Sequence, residues 1–239
     1  MTEHDKWYLS FDCATKSFAF ALVRVRPPGE EMLGLAKEAS AALDARDAPR
    51  AKAALDSLAA KASECLHLAG GGAADFFPGV PDKEISTVER IDALVAYLRG
   101  PVAKALADAP GCPKKDSKAL NVMVEYQMGA NSPARAIAVG LLTYYVDANA
   151  FEVGASFKNK LWFPARPDLR HCYFIEKYSK LYDANKAHVK ELYFEHLGPL
   201  FEHRDLGIPK VLAKDFADAA VQVIGFIAYG DPARARSMF

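Results

Sequence analysis

Hydrophobic positions come in short runs at the start of the chain. Tyr8-Leu9-Ser10-Phe11-Asp12-Cys13 is largely apolar with one acid near its end, and Phe18-Ala19-Phe20-Ala21-Leu22-Val23-Arg24-Val25 is rich in aromatic and β-branched residues. Both read as strands, and the tight turn Ala14-Thr15-Lys16-Ser17 joins them into a β-hairpin. Pro27-Pro28-Gly29 ends the second strand. Residues 36–68 then change to an Ala-rich stretch with leucines at helical intervals: Leu35, Leu43, Leu55, Leu58 and Leu66. Pro49 is tolerated only in the first turn of a helix, so two short helices are predicted there. Gly70-Gly71-Gly72 through Pro81 reads as a flexible connector, with room beside it for a short third strand. The glycines lack the Gly-Lys-Ser/Thr ending of a phosphate loop.

Ser86-Thr87-Val88-Glu89 is a capping box that opens an amphipathic helix through Val88, Ile91, Leu94, Val95 and Leu98, interrupted at Gly100-Pro101. Residues 111–118 are polar and rich in breakers. Asn121-Val122-Met123-Val124-Glu125-Tyr126 reads as a buried strand, again with an acid near its end. Asn131-Ser132-Pro133 starts a helix whose apolar face runs Ile137, Leu141, Tyr144 and Tyr145. A β-like stretch follows over 151–163, then a helix over 185–200. Pro209 precedes a last helix of roughly 211–229 that is expected to bury Phe216, Ala220, Val223, Ile224 and Ile227. The order of elements predicts a mixed α/β fold.

Composition narrows the class. The 239 residues suffice for one good core or two small domains. With 51% hydrophobic and 25% charged residues, the chain is neither disordered nor collagen-like. Lys+Arg and Asp+Glu both total 30, so nothing in the net charge draws the protein to nucleic acid or to an acidic membrane; such a partner has to be met by a local patch. No apolar run approaches the roughly 18 residues of a membrane span, and the polar start Met1-Thr2-Glu3-His4 does not read as a signal peptide. The four scattered cysteines read as reduced thiols of an intracellular protein. Cys65 with His67, and His171 with Cys172, lack the spacing of a zinc site.

Three places carry acids where packing would favour something apolar. Asp12 and Glu125 each end a hydrophobic strand, and Asp215 and Asp218, three apart, project from neighbouring positions of the last helix. A carboxylate near a sheet core costs several kcal/mol unless it is paired or holds a metal. Each acid has a local explanation: Asp12 can cap its turn, Glu125 can pair with a basic neighbour, and Asp215 and Asp218 suit the first turn of a helix. As an ordered set they point instead to a divalent cation, and oxygen-only ligation points to Mg²⁺ or Mn²⁺.

Tyr8 to Asp12 with Lys16-Ser17-Phe18-Ala19 resembles the first hairpin of the RuvC-like Holliday junction resolvases, in the branch carried by poxviruses and other large DNA viruses. Val124-Glu125-Tyr126-Gln127 followed by Ser132-Pro133 resembles that branch's strand-borne Glu-x-Gln and helix start. Lys214-Asp215-Phe216-Ala217-Asp218-Ala219 resembles its terminal Asp-x-x-Asp helix. Ala14, Ser17 and Lys214 stand where the family usually has Gly, Asn and an acid. The likeness covers about residues 7–25 and 120–229, leaving about 30–118 as an Ala-rich helical insertion.

The resemblance implies a single RNase H-like domain, a mixed sheet flanked by helices. It also implies a Mg²⁺-dependent endonuclease with two ions per site (Mn²⁺ substituting), held by Asp12, Glu125, Asp215 and Asp218 as catalytic carboxylates. The expected substrate is branched DNA, a four-way junction nicked symmetrically by a homodimer, with no membrane partner. An intracellular viral replication site, in host cytoplasm or nucleus, is the expected location. Lys16 and Arg135 lie next to acidic motifs as candidate phosphate contacts. Between 158 and 190 the chain offers a basic stretch with Lys158, Lys160, Lys186 and Lys190 among its cations, interleaved with aromatics such as Trp162 and Tyr173. Three other readings stay open: an RNase H-like nuclease acting on flaps or hybrids, a non-catalytic binding module of the same fold, and an actin- or sugar-kinase-like ATP-binding protein using Asp12-Cys13-Ala14-Thr15. The last lacks a Gly-rich adenosine motif.

Overall fold

A computed structural model of the chain describes residues 5–26, 47–125, 132–153 and 206–229, with scattered positions between 31 and 42. The expected β-like stretch beyond 153, the helix over 185–200 and the basic stretch of 158–190 lie outside the described residues. Within them the hairpin forms as predicted: β1 (Lys6–Cys13) pairs antiparallel with β2 (Ser17–Val25), Asp12 facing Ala19 and Ser10 facing Ala21. Helix α1 (Ala48–Cys65) carries Pro49 in its first turn, where the missing N–H costs no helical bond.

The glycine triplet is not a connector. It lies within β3 (Leu66–Asp75), which pairs antiparallel with β2. These glycines make room rather than turns. A Cβ on Gly71 would collide with the ring edge of Phe216 and come within 3.1 Å of the Phe20 carbonyl; one on Gly72 would meet the Tyr97 hydroxyl at 2.8 Å. Gly71 thus opens one face of the strand to the last helix, and Gly72 opens the other face to an aromatic cluster. Part of the 30–118 region is therefore woven into the sheet.

Ser86 caps α2 (Thr87–Tyr97) with the full reciprocal capping box to Glu89. Gly100-Pro101 does not stop the helix. The chain passes through one π turn (Leu98–Val102), which absorbs the proline, and continues as α3 (Ala103–Asp108). Val88 was expected on the apolar face but is 69% exposed, while Leu94 and Leu98 are buried. Strand β4 (Leu120–Glu125) lies parallel to β1, and β5 (Asn149–Val153) parallel to β4. Helix α4 (Ser132–Tyr144) links them. A short 3-10 turn (Lys210–Leu212) leads into α5 (Ala213–Tyr229).

The sheet order is β3-β2-β1-β4-β5, with β1 central. Two cores lie on its two faces. One packs α5 and α1 through Phe216, Ala219, Ala220, Val223, Ala54 and Leu58. The other packs α2 and α4 through Leu94, Leu98, Ile137 and Leu141. A three-strand antiparallel meander extended by two parallel strands, with helices on both faces, is the RNase H-like arrangement.

The glycine packing makes a specific prediction. Gly71→Ala should cost about 1–3 kcal/mol, the range for overpacking a core, read as a lower melting temperature. Phe216→Leu withdraws the ring edge, so the double variant should lose less than the sum of the two singles.

Candidate functional site

Register places two of the sequence-predicted acids side by side. Phe11 pairs with Val124, so the next residues, Asp12 and Glu125, are neighbours on parallel strands spaced about 4.8 Å apart. Alternation fixes the face. Phe11 and Val124 point into the α2/α4 core, while Ala19, opposite Asp12, and Val153, opposite Glu125, belong to the α5 core. Ala19, Asp12, Glu125 and Val153 therefore form one row across four strands, on the face covered by α5. Both carboxylates are half-buried, at the C-terminal ends of their strands.

The other two acids come from α5. Asp215, Asp218, Gln222 and Phe226 follow the spacing of a single helical stripe. Phe226 fixes where that stripe faces: its ring lies 5.9 Å from Tyr8 of β1 and 5.1 Å from Phe151 of β5. At its C-terminal end this stripe thus faces β1 and β5, while the helix as a whole packs on β2, β1 and β3, the face of the sheet that carries the carboxylate row. Asp215 is half-buried and Asp218 is only 3% exposed. All four acids are engaged in polar or electrostatic interactions. Among the described residues, no three acidic, histidine or cysteine side chains lie close enough together to grip a metal ion. The donor chemistry itself fits a hard cation: oxygen ligands only, drawn from two strands and a helix.

Two polar residues of this face went unnoticed in the sequence. Ser10, one row beneath Asp12, is 0% exposed, and Gln222, one turn beyond Asp218, is 1% exposed. Among the described residues the Ser10 hydroxyl and both polar atoms of the Gln222 amide find no hydrogen-bond partner. A serine in a strand or a glutamine in a helix carries no signal of its own. Only the burial of its neighbours, Tyr8 and Phe11 or Val221 and Val223, could have drawn attention to it.

The predicted phosphate contacts are placed differently. Lys16 Nζ donates to the Val80 carbonyl at 2.7 Å from its half-buried position in the hairpin turn. Arg135 on α4 is ion-paired with Glu152, which precedes Val153 and so points to the opposite face of the sheet from α5. Lys158, Lys160, Lys186 and Lys190 lie outside the described residues, as do Tyr126, Gln127 and Asn131.

The turn that follows Asp12 is held by a residue with no local signal in the sequence. Arg90 of α2 is 1% exposed. Its guanidinium donates to the Thr15 carbonyl, to the Asp82 carboxylate at 2.9 Å and its carbonyl at 2.6 Å, and to the Ile85 carbonyl at 3.1 Å. Phe76 N also donates to the Lys16 carbonyl at 3.0 Å. The hairpin turn at the rim of the carboxylate row is thereby clamped to the 76–85 segment. The Thr15 side chain first, and the Arg90 guanidinium after it, hold the Asp82 carboxyl below its usual value.

No protein-family model matches the sequence, and no curated protein matches it either. Among solved structures the chain is similar to the RuvC structure of Thermus thermophilus, at 12% identity and a TM-score of 0.44, over 95% of this chain and 95% of that one. The fold assignment rests on the strand order and register given above.

Arg90→Met should weaken the clamp by about 1.5–3 kcal/mol, the worth of hydrogen bonds to a charged group, measured by urea unfolding at neutral pH. Asp82 titrates lower in the folded protein than in the unfolded chain. Its contribution is therefore present above the ordinary carboxylate value of about 3.9 and fades as the pH falls through its folded value. Unfolding of wild type and Arg90→Met across the acid range should show this difference shrinking at low pH.

Proposed function

We propose that the chain is a metal-dependent, structure-selective endonuclease that resolves four-way DNA junctions by paired symmetric nicks, acting as a homodimer. The observation that carries this reading is the pairing of Asp12 with Glu125 in one row, beneath the helix stripe that carries Asp215 and Asp218. Asp12 and Glu125, neighbours in a partly buried place, repel one another, and a bound divalent cation would offset that repulsion. Bound Mg²⁺ or Mn²⁺ supplies the polarising charge that phosphodiester hydrolysis needs.

The geometry supports the part the chain itself would play. Strands β1 and β4 fix two of the ligands by backbone register. Helix α5 brings the other two to the same face through its apolar packing. Asp12 and Glu125 stay half-exposed at the strand ends, where a backbone phosphate can reach them. A two-fold dimer presents two such rows to the two-fold symmetric strands of a junction, reading shape and phosphates rather than base edges. Lys16, at the rim, retains two ammonium protons beyond its bond to Val80 for a phosphate.

Cleavage of a labelled immobile four-way junction in Mg²⁺ tests the reading, with wild type beside Asp12→Asn and Asp218→Asn. Wild type should produce paired symmetric nicks and the variants none. Cleavage of flaps or RNA–DNA hybrids in preference to junctions would keep the nuclease and replace its substrate. No cleavage of any of these in Mg²⁺ or Mn²⁺ would sink the proposal. By linkage, millimolar Mg²⁺ or Mn²⁺ should raise the wild-type melting temperature, and Asp12→Asn should blunt the rise.

A further inference from the structure

Ser10 and Gln222 are buried polar groups whose hydrogen-bonding capacity goes unused among the described residues. A buried unpartnered hydroxyl or amide costs roughly 1–3 kcal/mol, so two on one interface call for a reason. Their positions supply it. The α5-facing side of the sheet runs in rows. The lowest holds Tyr8, whose ring meets Phe226. The next holds Ala21, Ser10, Met123 and Phe151, and the next Ala19, Asp12, Glu125 and Val153. Along α5 the same succession runs Phe226, Gln222, Asp218. On both elements the orphan polar residue lies between an aromatic floor and a carboxylate.

We infer that Ser10 and Gln222 are positioning residues that share an internal water beneath the carboxylates, tying β1 to α5 and fixing Asp12 and Asp218 relative to each other. The chemistry balances without a charged group. The Ser10 hydroxyl donates and accepts, the Gln222 amide offers one oxygen and one NH₂, and a carboxylate above accepts from the water. That gives the water about three partners, the usual number for a buried one. Ser10's neighbours in its row, Ala21 and Met123, are apolar and their side chains offer the water no strong partner. Residues behind metal ligands that orient them typically govern metal affinity by 10–100-fold. This role rests on the metal-dependent reading above.

The test is the Mn²⁺ concentration that gives half of the metal-induced rise in melting temperature, measured without substrate on the full chain. Wild type, Ser10→Ala, Gln222→Met and the double variant are compared. Both substitutions nearly preserve shape, so the metal-free proteins should fold, with melting temperatures lowered only by the loss of one water-mediated hydrogen bond. Each single variant should raise the Mn²⁺ midpoint by roughly tenfold or more. The double should go no further than the worse single, since either change breaks the same bridge. Midpoints within twofold of wild type would overturn the inference and leave the metal site standing, as would single effects that multiply in the double variant. Absence of any Mn²⁺ response in wild type would end both the nuclease reading and this role. A high-resolution crystal structure should show one ordered water within hydrogen-bond distance of Ser10 Oγ and the Gln222 amide; direct protein partners for both would refute it.

Discussion

The packing of α5 against the sheet is the constraint on which the rest of the molecule depends. From Phe216 to Gln222 the helix is buried at every position, which is the behaviour of a core element rather than of an amphipathic surface helix. Such a helix has no freedom to rotate its acids out into solvent. Phe216 is seated by the bare backbone of Gly71 and Phe226 by Tyr8 and Phe151, so the two ends of the helix are pinned on opposite sides of β1. Hydrophobic burial along this length, at about 25 cal/mol per Å², is what offsets the cost of holding Asp218 out of water.

Central placement of β1 does the complementary work. Its antiparallel pairing with β2 and parallel pairing with β4 put Asp12 level with Ala19 on one side and beside Glu125 on the other. A one-residue slip of the β1–β4 pairing would turn the carboxylates to opposite faces. Apolar side chains on both faces of β1, from Trp7 to Phe11, make such a slip expensive. The geometry of the carboxylate row is thus a consequence of register, and register is a consequence of core packing.

Much of this was legible in the sequence, for reasons that differ by element. The hairpin, the capping box at Ser86 and the helix start at Ser132-Pro133 are local signals, decided by a few adjacent residues, and they appear where expected. The acids of strands β1 and β4 stood out because their neighbours are apolar. The glycine triplet misled, because glycine signals a turn when only local sequence is considered. Its actual use is to clear space for Phe216 and Tyr97, residues far away in the chain. Pro101 misled for a similar reason, since one wider turn accommodates it. Arg90, Ser10 and Gln222 were invisible: their importance comes from burial and from partners or neighbours distant in sequence.

One hydrogen bond at the far end of β2 has a consequence for the gene rather than for the carboxylate row. Arg26 N donates to the Cys65 carbonyl at 3.0 Å, where β2 ends and β3 begins. The end of β2 is thereby held to the start of β3. Lengthening a stretch whose ends are already held costs only about 0.6 kcal/mol per doubling. Insertions and deletions ahead of α1 would thus accumulate there without shifting the row of Asp12, and homologues of very different length could share one unaltered carboxylate geometry.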